Sequence, residues 1–165
     1  MKQRDPQLAL RLDGGEGHAD GAAARWHDGA PLAYLGATVA LRLDNGCGGG
    51  RREAVLEGDT LHLPLPPEAS PRQIRDAAET WLRAQAVRLI SAALATESRR
   101  LGRPTPEASL SFASRASWVR QDGKGGLRFH WRLAEQPEDV IGQAARHAIA
   151  GLPTSTAMPE LFGAV

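Results

Sequence analysis

Chemistry in this chain of 165 residues would have to come from five histidines, His18, His27, His62, His130 and His147, and a single cysteine, Cys47. A catalytic zinc needs three protein ligands converging on one ion, and a helix ordinarily supplies two of them one turn apart, at i and i+4. No two of these histidines stand at that spacing, and no cysteine pair substitutes. The G-x-S-x-G elbow of a serine hydrolase is missing. Gly123-Lys124-Gly125-Gly126 lacks the spacing of a phosphate-cradling loop and reads as a turn. Cys47, inside Asn45-Gly46-Cys47-Gly48-Gly49-Gly50, can form neither an internal disulfide nor a thiolate cluster, which fits a reducing compartment.

Composition bounds the remaining classes. The length predicts one domain with a hydrophobic core of its own. Hydrophobic residues are 42% of the chain and the formal net charge is +1, which excludes a disordered polyelectrolyte. The apolar stretch Leu8-Ala9-Leu10 near the N-terminus is too short for a signal peptide or a membrane span, so a cytoplasmic protein without a membrane partner is expected. The small net charge hides a division. Residues 70–132 carry 12 basic and 5 acidic groups, and the segments on either side are each net acidic. A basic centre could attract phosphates, although its arginines on a long helix also read as an ordinary solvated face.

The elements that would position any site follow from periodicity. Residues 1–31 are rich in Gly, Ala, Asp and His with no sustained period, and are expected to form a flexible arm before a domain at 32–165. Tyr34 to Leu43 reads as a strand with Val39, Leu41 and Leu43 on one face. Ala54-Val55-Leu56 and Thr60 to Leu65 flank Gly58-Asp59 as a hairpin. Ser70-Pro71-Arg72-Gln73 is a capping box, and Ile74, Ala78, Trp81, Leu82, Gln85, Leu89, Ala93 and Leu94 recur at helical spacing until Gly102. Leu110 and Phe112 suggest a short strand, and Leu127, Phe129 and Trp131 alternate with Arg128, His130 and Arg132 as another. Pro137, at the first helical position, opens a last helix with Glu138 and Asp139 at its positive end, running to about Gly151. The order describes an α+β fold of N-terminal antiparallel strands, a long helix, a β-hairpin and a final helix.

Four segments resemble the YgjP-type family of zinc metallopeptidases, also described as metal-dependent hydrolases. They are Tyr34-Leu35-Gly36, Trp81-Leu82-Arg83-Ala84-Gln85-Ala86, Trp118, and His130-Trp131-Arg132-Leu133 before Pro137-Glu138-Asp139-Val140-Ile141. The ungapped spacing from the first Trp to Trp-Arg-Leu is kept, which marks Trp81, Trp118, Trp131 and Arg132 as motif positions. The resemblance implies a zincin-like, gluzincin-type motif helix at the end of the fold. Where the family has Arg-Trp-Gly-Ser-Cys-Ser, this chain reads Ser117-Trp118-Val119-Arg120-Gln121-Asp122. Where it has His-Glu-x-x-His, this chain reads His147-Ala148-Ile149-Ala150-Gly151, and the third ligand falls on Ala157.

The implied site is therefore vestigial: His147 is retained, Gly151 and Ala157 replace ligands, and Ala148 replaces the general base. One imidazole cannot hold zinc against water, and without metal or carboxylate no activated water forms. No catalytic residue, metal or other cofactor is expected, against zinc in the family. His147 is expected to be a partly buried, hydrogen-bonded helix residue. The expected function is an inactive metallopeptidase-like domain that binds a protein partner or a second copy. A nucleic-acid-binding module using residues 70–132 is the alternative. A hydrolase with an unconventional site, recruiting His130 beside His147, is a further one.

Overall fold

A computed structural model describes residues 25–44, 53–113, 117–122 and 126–153. The expected arm lies mainly outside the described residues, as do Cys47, the Gly123–Gly125 turn and Ala157. The fold is α+β, with two small sheets joined by one long helix. No helix among the described residues is long and apolar enough to cross a membrane.

The first strand expected from the sequence is in fact a hairpin. Strands β1 (Pro31–Tyr34) and β2 (Ala37–Leu43) pair antiparallel, with Tyr34 opposite Ala37. Leu35 and Gly36 turn the chain with φ of 49° and 76°. Two successive positive φ values make the tight turn whose twist matches a hairpin, and a single apolar run across Leu35 hides it from periodicity. The Gly58-Asp59 hairpin forms as expected, between β3 (Val55–Glu57) and β4 (Thr60–Leu63). The sheet order is β1-β2-β4-β3, and its central pair, β2 and β4, runs parallel rather than antiparallel. Val39, Leu41, Leu61 and Leu63 form the buried face of that pair.

The long helix α1 (Pro71–Leu101) begins and ends where the caps require. The Ser70 hydroxyl accepts from the Gln73 N–H at 3.3 Å, and the Gln73 side chain accepts from the Ser70 N–H at 2.9 Å. Gly102, at φ 62°, closes the C-terminus in the left-handed conformation that glycine adopts freely. The inner face departs from the expected stripe. Ile74, Ala78, Leu82, Ala86, Ile90, Leu94 and Ser98 are buried, one every fourth residue, while Gln85, Leu89 and Ala93 are only half-buried. At 100° per residue, six steps of four carry the buried line through about 240° around the helix. α1 thus meets the first sheet near its start and the last helix near its end.

The second sheet has the order β5-β7-β6, from β5 (Ala108–Ser111), β6 (Val119–Gln121) and β7 (Leu127–His130). Phe112 falls past the end of β5 and is 59% exposed. Trp131 also leaves its strand and opens a 3-10 turn, Trp131–Glu135, capped by His130. Pro137 is the N-cap of α2 (Glu138–Ala150) rather than its first helical residue.

Two contacts lock α2 in place. The tip of the first hairpin donates from the Leu35 and Gly36 N–H groups to the Ala134 and Glu135 carbonyls, both at 2.9 Å. At the other end the Arg103 side chain donates to the Ile149 and Leu152 carbonyls, at 2.7 and 3.2 Å, satisfying the acceptors a helix terminus leaves open. Between them Glu97, only 5% exposed, reaches across from α1. Its carboxylate accepts from Arg146 Nε at 2.9 Å and Nη2 at 3.2 Å, and from Arg100 at 3.2 Å. A buried carboxylate survives because that paired geometry replaces its water.

Candidate metal centre

The helix that would carry a zinc site is α2, and its residues have separate fates. His147 is exposed and its side chain makes no hydrogen bond or ion pair with a described residue, so the expected half-buried, bonded histidine is corrected. It lies near the exposed C-terminal end of an amphipathic helix whose apolar face is Ile141, Ala145, Ala148 and Ile149. Ala148 is 5% exposed and belongs to that packed face. A carboxylate there would sit among apolar side chains.

Gly151, the C-cap, has φ −78° and ψ −12°, a conformation open to any residue. A Cβ at this position would stand 3.3 Å from the Gln121 amide nitrogen. Gln121 on β6 thus stands beside Gly151, and its amide would have to give by a few tenths of an ångström for a side chain there. It is also the residue standing where the resembling family has its motif cysteine. Among the described residues no group of three or more His, Cys, Asp or Glu side chains could hold a metal ion.

His130 is held away from such a role. Its Nδ1 accepts from the Arg132 N–H at 3.2 Å, so the proton sits on Nε2, which donates to the Ala113 carbonyl at 3.0 Å. Both ring nitrogens are thus used by backbone. The ring meets Trp118 edge-on at 6.0 Å and stacks on Trp131 at 6.3 Å. His62 faces Asp44 through Nδ1 at 3.6 Å and Glu57 through Nε2 at 3.8 Å. Opposite edges of one ring face the two carboxylates, both beyond hydrogen-bond distance, and the three side chains do not converge as a chelate.

The motif tryptophans are joints of the core. Trp81 packs on Tyr34 with ring centroids 4.8 Å apart, tying α1 to the first hairpin. Trp131 is buried, with the Arg83 and Arg132 guanidinium carbons each 5.4 Å from its ring centroid. Trp118 is half-buried beside His130. Arg132 also approaches Glu135 at 3.9 Å. Tyr34-Leu35-Gly36 supplies the Trp81 contact and the turn that touches α2's entrance. The residues that carry the resemblance are thus fold positions.

A family model, YgjP-like, metallopeptidase domain, matches residues 7–147. The chain belongs to the YgjP-like family. The match reaches His147 and stops before Gly151 and Ala157. Neither curated proteins nor solved structures give a match. The described residues do not fit the zinc of a YgjP-like metallopeptidase: beyond His147, α2 offers an alanine turned into the core and a glycine backed by an amide.

Two electrostatic features were not legible in the sequence. Glu97 is held below the ordinary carboxylate range, chiefly by its hydrogen bond from Arg146, which outweighs the opposing effect of burial. Glu135 is pushed above that range by burial, against the pull of Arg132 and Arg25. A sequence signal for Glu97 is its place four residues after Ala93 in the stripe of helical spacing.

Proposed function

We propose that this YgjP-like domain has given up peptidase chemistry and serves in binding or assembly, its folded unit beginning ahead of Leu32, since Ala30 is buried and Pro31 stands in β1. The observation that carries this reading is Ala148, buried at the position where the family resemblance puts the general base. Without a carboxylate there, the proton acceptor that the resemblance places beside the metal is missing. Exposed His147, and Gly151 against Gln121, support the same conclusion for the metal. A cytoplasmic location agrees with the single cysteine.

The nucleic-acid alternative is weakened by local pairing. On α1, Arg72 and Arg75 meet Asp76, Arg83 meets Glu79, and Arg100 meets Glu97. Those pairs offset part of the helix's charge, six arginines against three carboxylates, and so weaken without cancelling its pull on phosphates. The unconventional-hydrolase alternative would need His130, whose nitrogens are both engaged.

Zinc equilibrium dialysis of the full chain followed by elemental analysis tests the proposal. The expected result is sub-stoichiometric zinc that His147→Ala leaves unchanged. Stoichiometric zinc abolished by His147→Ala would overturn it.

A further inference from the structure

The basic excess of residues 70–132 does not end with α1. Residues 103–132 hold six basic groups and two acidic ones, Glu107 and Asp122. Two of the six meet on the second sheet. On β7, Leu127 and Phe129 turn inward at 1% exposure, and Arg128 between them turns out. Its neighbour on β6 is Arg120 and its neighbour on β5 is Ser109, and all three are exposed. The Asp122 N–H donates to the Gly126 carbonyl and the His130 N–H to the Trp118 carbonyl, both at 2.9 Å. Those are hydrogen-bonded pairs of the ladder, and 120/128 between them is a third. The Arg120 and Arg128 Cβ atoms therefore lie about 5 Å apart, and half-buried Trp118 shares their face one pair further along.

Like charges directly opposite each other destabilise a sheet. The side chains of Arg120 and Arg128 make no ion pair or hydrogen bond with a described residue to offset this. The two acids of the segment stand at the turn end of the sheet, away from Trp118. Asp122 accepts from the Gly126 N–H through Oδ1 at 2.7 Å, and Glu107 lies just before β5, its carbonyl bound to the Leu127 N–H. Neither carboxylate forms an ion pair with Arg120 or Arg128.

We propose that this outer face of the second sheet binds single-stranded nucleic acid, with a backbone phosphate held between Arg120 and Arg128 and a base laid on Trp118. Guanidinium forks match phosphate oxygens, and an anion between the two arginines removes the repulsion that the free sheet carries. A partly exposed indole on the same face gives an unpaired base a stacking surface that a duplex cannot use. The acids at the turn end direct the strand from the arginine pair toward Trp118. The inference rests on the binding role above and gives it a surface and a ligand class.

The probes are fluorescein-labelled oligothymidylate and oligouridylate of about twelve nucleotides, titrated with the full chain and followed by anisotropy over a range of salt. Affinity should fall linearly with salt on logarithmic axes. Each phosphate contact on a single strand contributes about 0.7 to that slope, so Arg120→Gln/Arg128→Gln should reduce it by about 1.4. Arg88→Gln, at an exposed position of α1, should leave the slope unchanged. The free double variant should melt at or above the temperature of the parent chain, because removing a like-charge pair relieves the sheet. By NMR the Trp118 indole N–H should shift with either strand and stay unshifted with a duplex of the same length. Poly-glutamate, which has the charge but neither phosphates nor bases, should not compete.

No salt-dependent binding to either strand, an unchanged slope or a lowered melting temperature in the double variant, or an unshifted Trp118 indole overturns the proposal. So does equal competition by poly-glutamate, an indole shift with the duplex, or an equal loss of slope in Arg88→Gln, which would put the contact on α1. Zinc uptake through His147 would overturn the inactive-domain reading and leave these binding results standing, so the two failures are distinguishable.

Discussion

Replacing Gly36 by alanine tests how the first hairpin holds the entrance of α2. Gly36 sits at φ 76°, and a Cβ there would lie 2.6 Å from Pro137 Cγ and 3.1 Å from Cδ. A left-handed conformation costs an alanine about 1–2 kcal/mol, and forced overlap in a packed contact adds about 1–3 kcal/mol, so Gly36→Ala should destabilise by roughly 2–5 kcal/mol. Gly58 is the internal control, since its φ is 57° but nothing lies within 4 Å of its would-be Cβ. Gly58→Ala should therefore show only the backbone cost of about 1–2 kcal/mol. Urea unfolding monitored by circular dichroism measures both. Pro137→Ala removes the two ring atoms in closest conflict, so the Gly36→Ala/Pro137→Ala pair should recover about 1–3 kcal/mol in a double-mutant cycle. A Gly36→Ala cost no larger than that of Gly58→Ala, or a cycle with no coupling, would refute the docking of this turn on Pro137.

The two shifted carboxylates give opposite pH dependences. Glu97 has a lowered folded pKa, so its stabilisation is present above the unfolded carboxylate value and is lost as pH falls through the folded one. Glu97→Gln should lower the melting temperature at neutral pH and flatten the acid limb of a melting-temperature profile; an unchanged acid limb would contradict the assignment. Glu135 has a raised folded pKa, so its ionised form burdens the folded state at neutral pH and the burden lifts as pH falls through that raised value. Glu135→Gln should raise the melting temperature at pH 7 and have no advantage at acid pH, as thermal melts across that range will show.

Much of the fold is legible residue by residue. The capping box at Ser70, the stop at Gly102 and the Gly58-Asp59 hairpin are set by groups within a few positions of one another, so the sequence contains the whole interaction. The Leu35-Gly36 turn was concealed because a hydrophobic residue occupies one of its left-handed positions. The drift of α1's buried line was also concealed, because which of two half-apolar faces is inside depends on the element packed there. Phe112 and Trp131 kept the alternation of a strand after the strand had ended.

For the candidate site the division is similar. The sequence by itself determined that no two histidines stand one helical turn apart and that no second cysteine joins Cys47, and Trp81, Trp118 and Trp131 marked the family. Only the tertiary structure decided where the remaining groups face. It put His147 in solvent, Ala148 in the core, Gln121 against Gly151, and both nitrogens of His130 on backbone partners. It also brought Glu97 to Arg146 across 49 residues. Those are distances between segments far apart in the chain, fixed by how helices and sheets pack, and local residue order contains no measure of them.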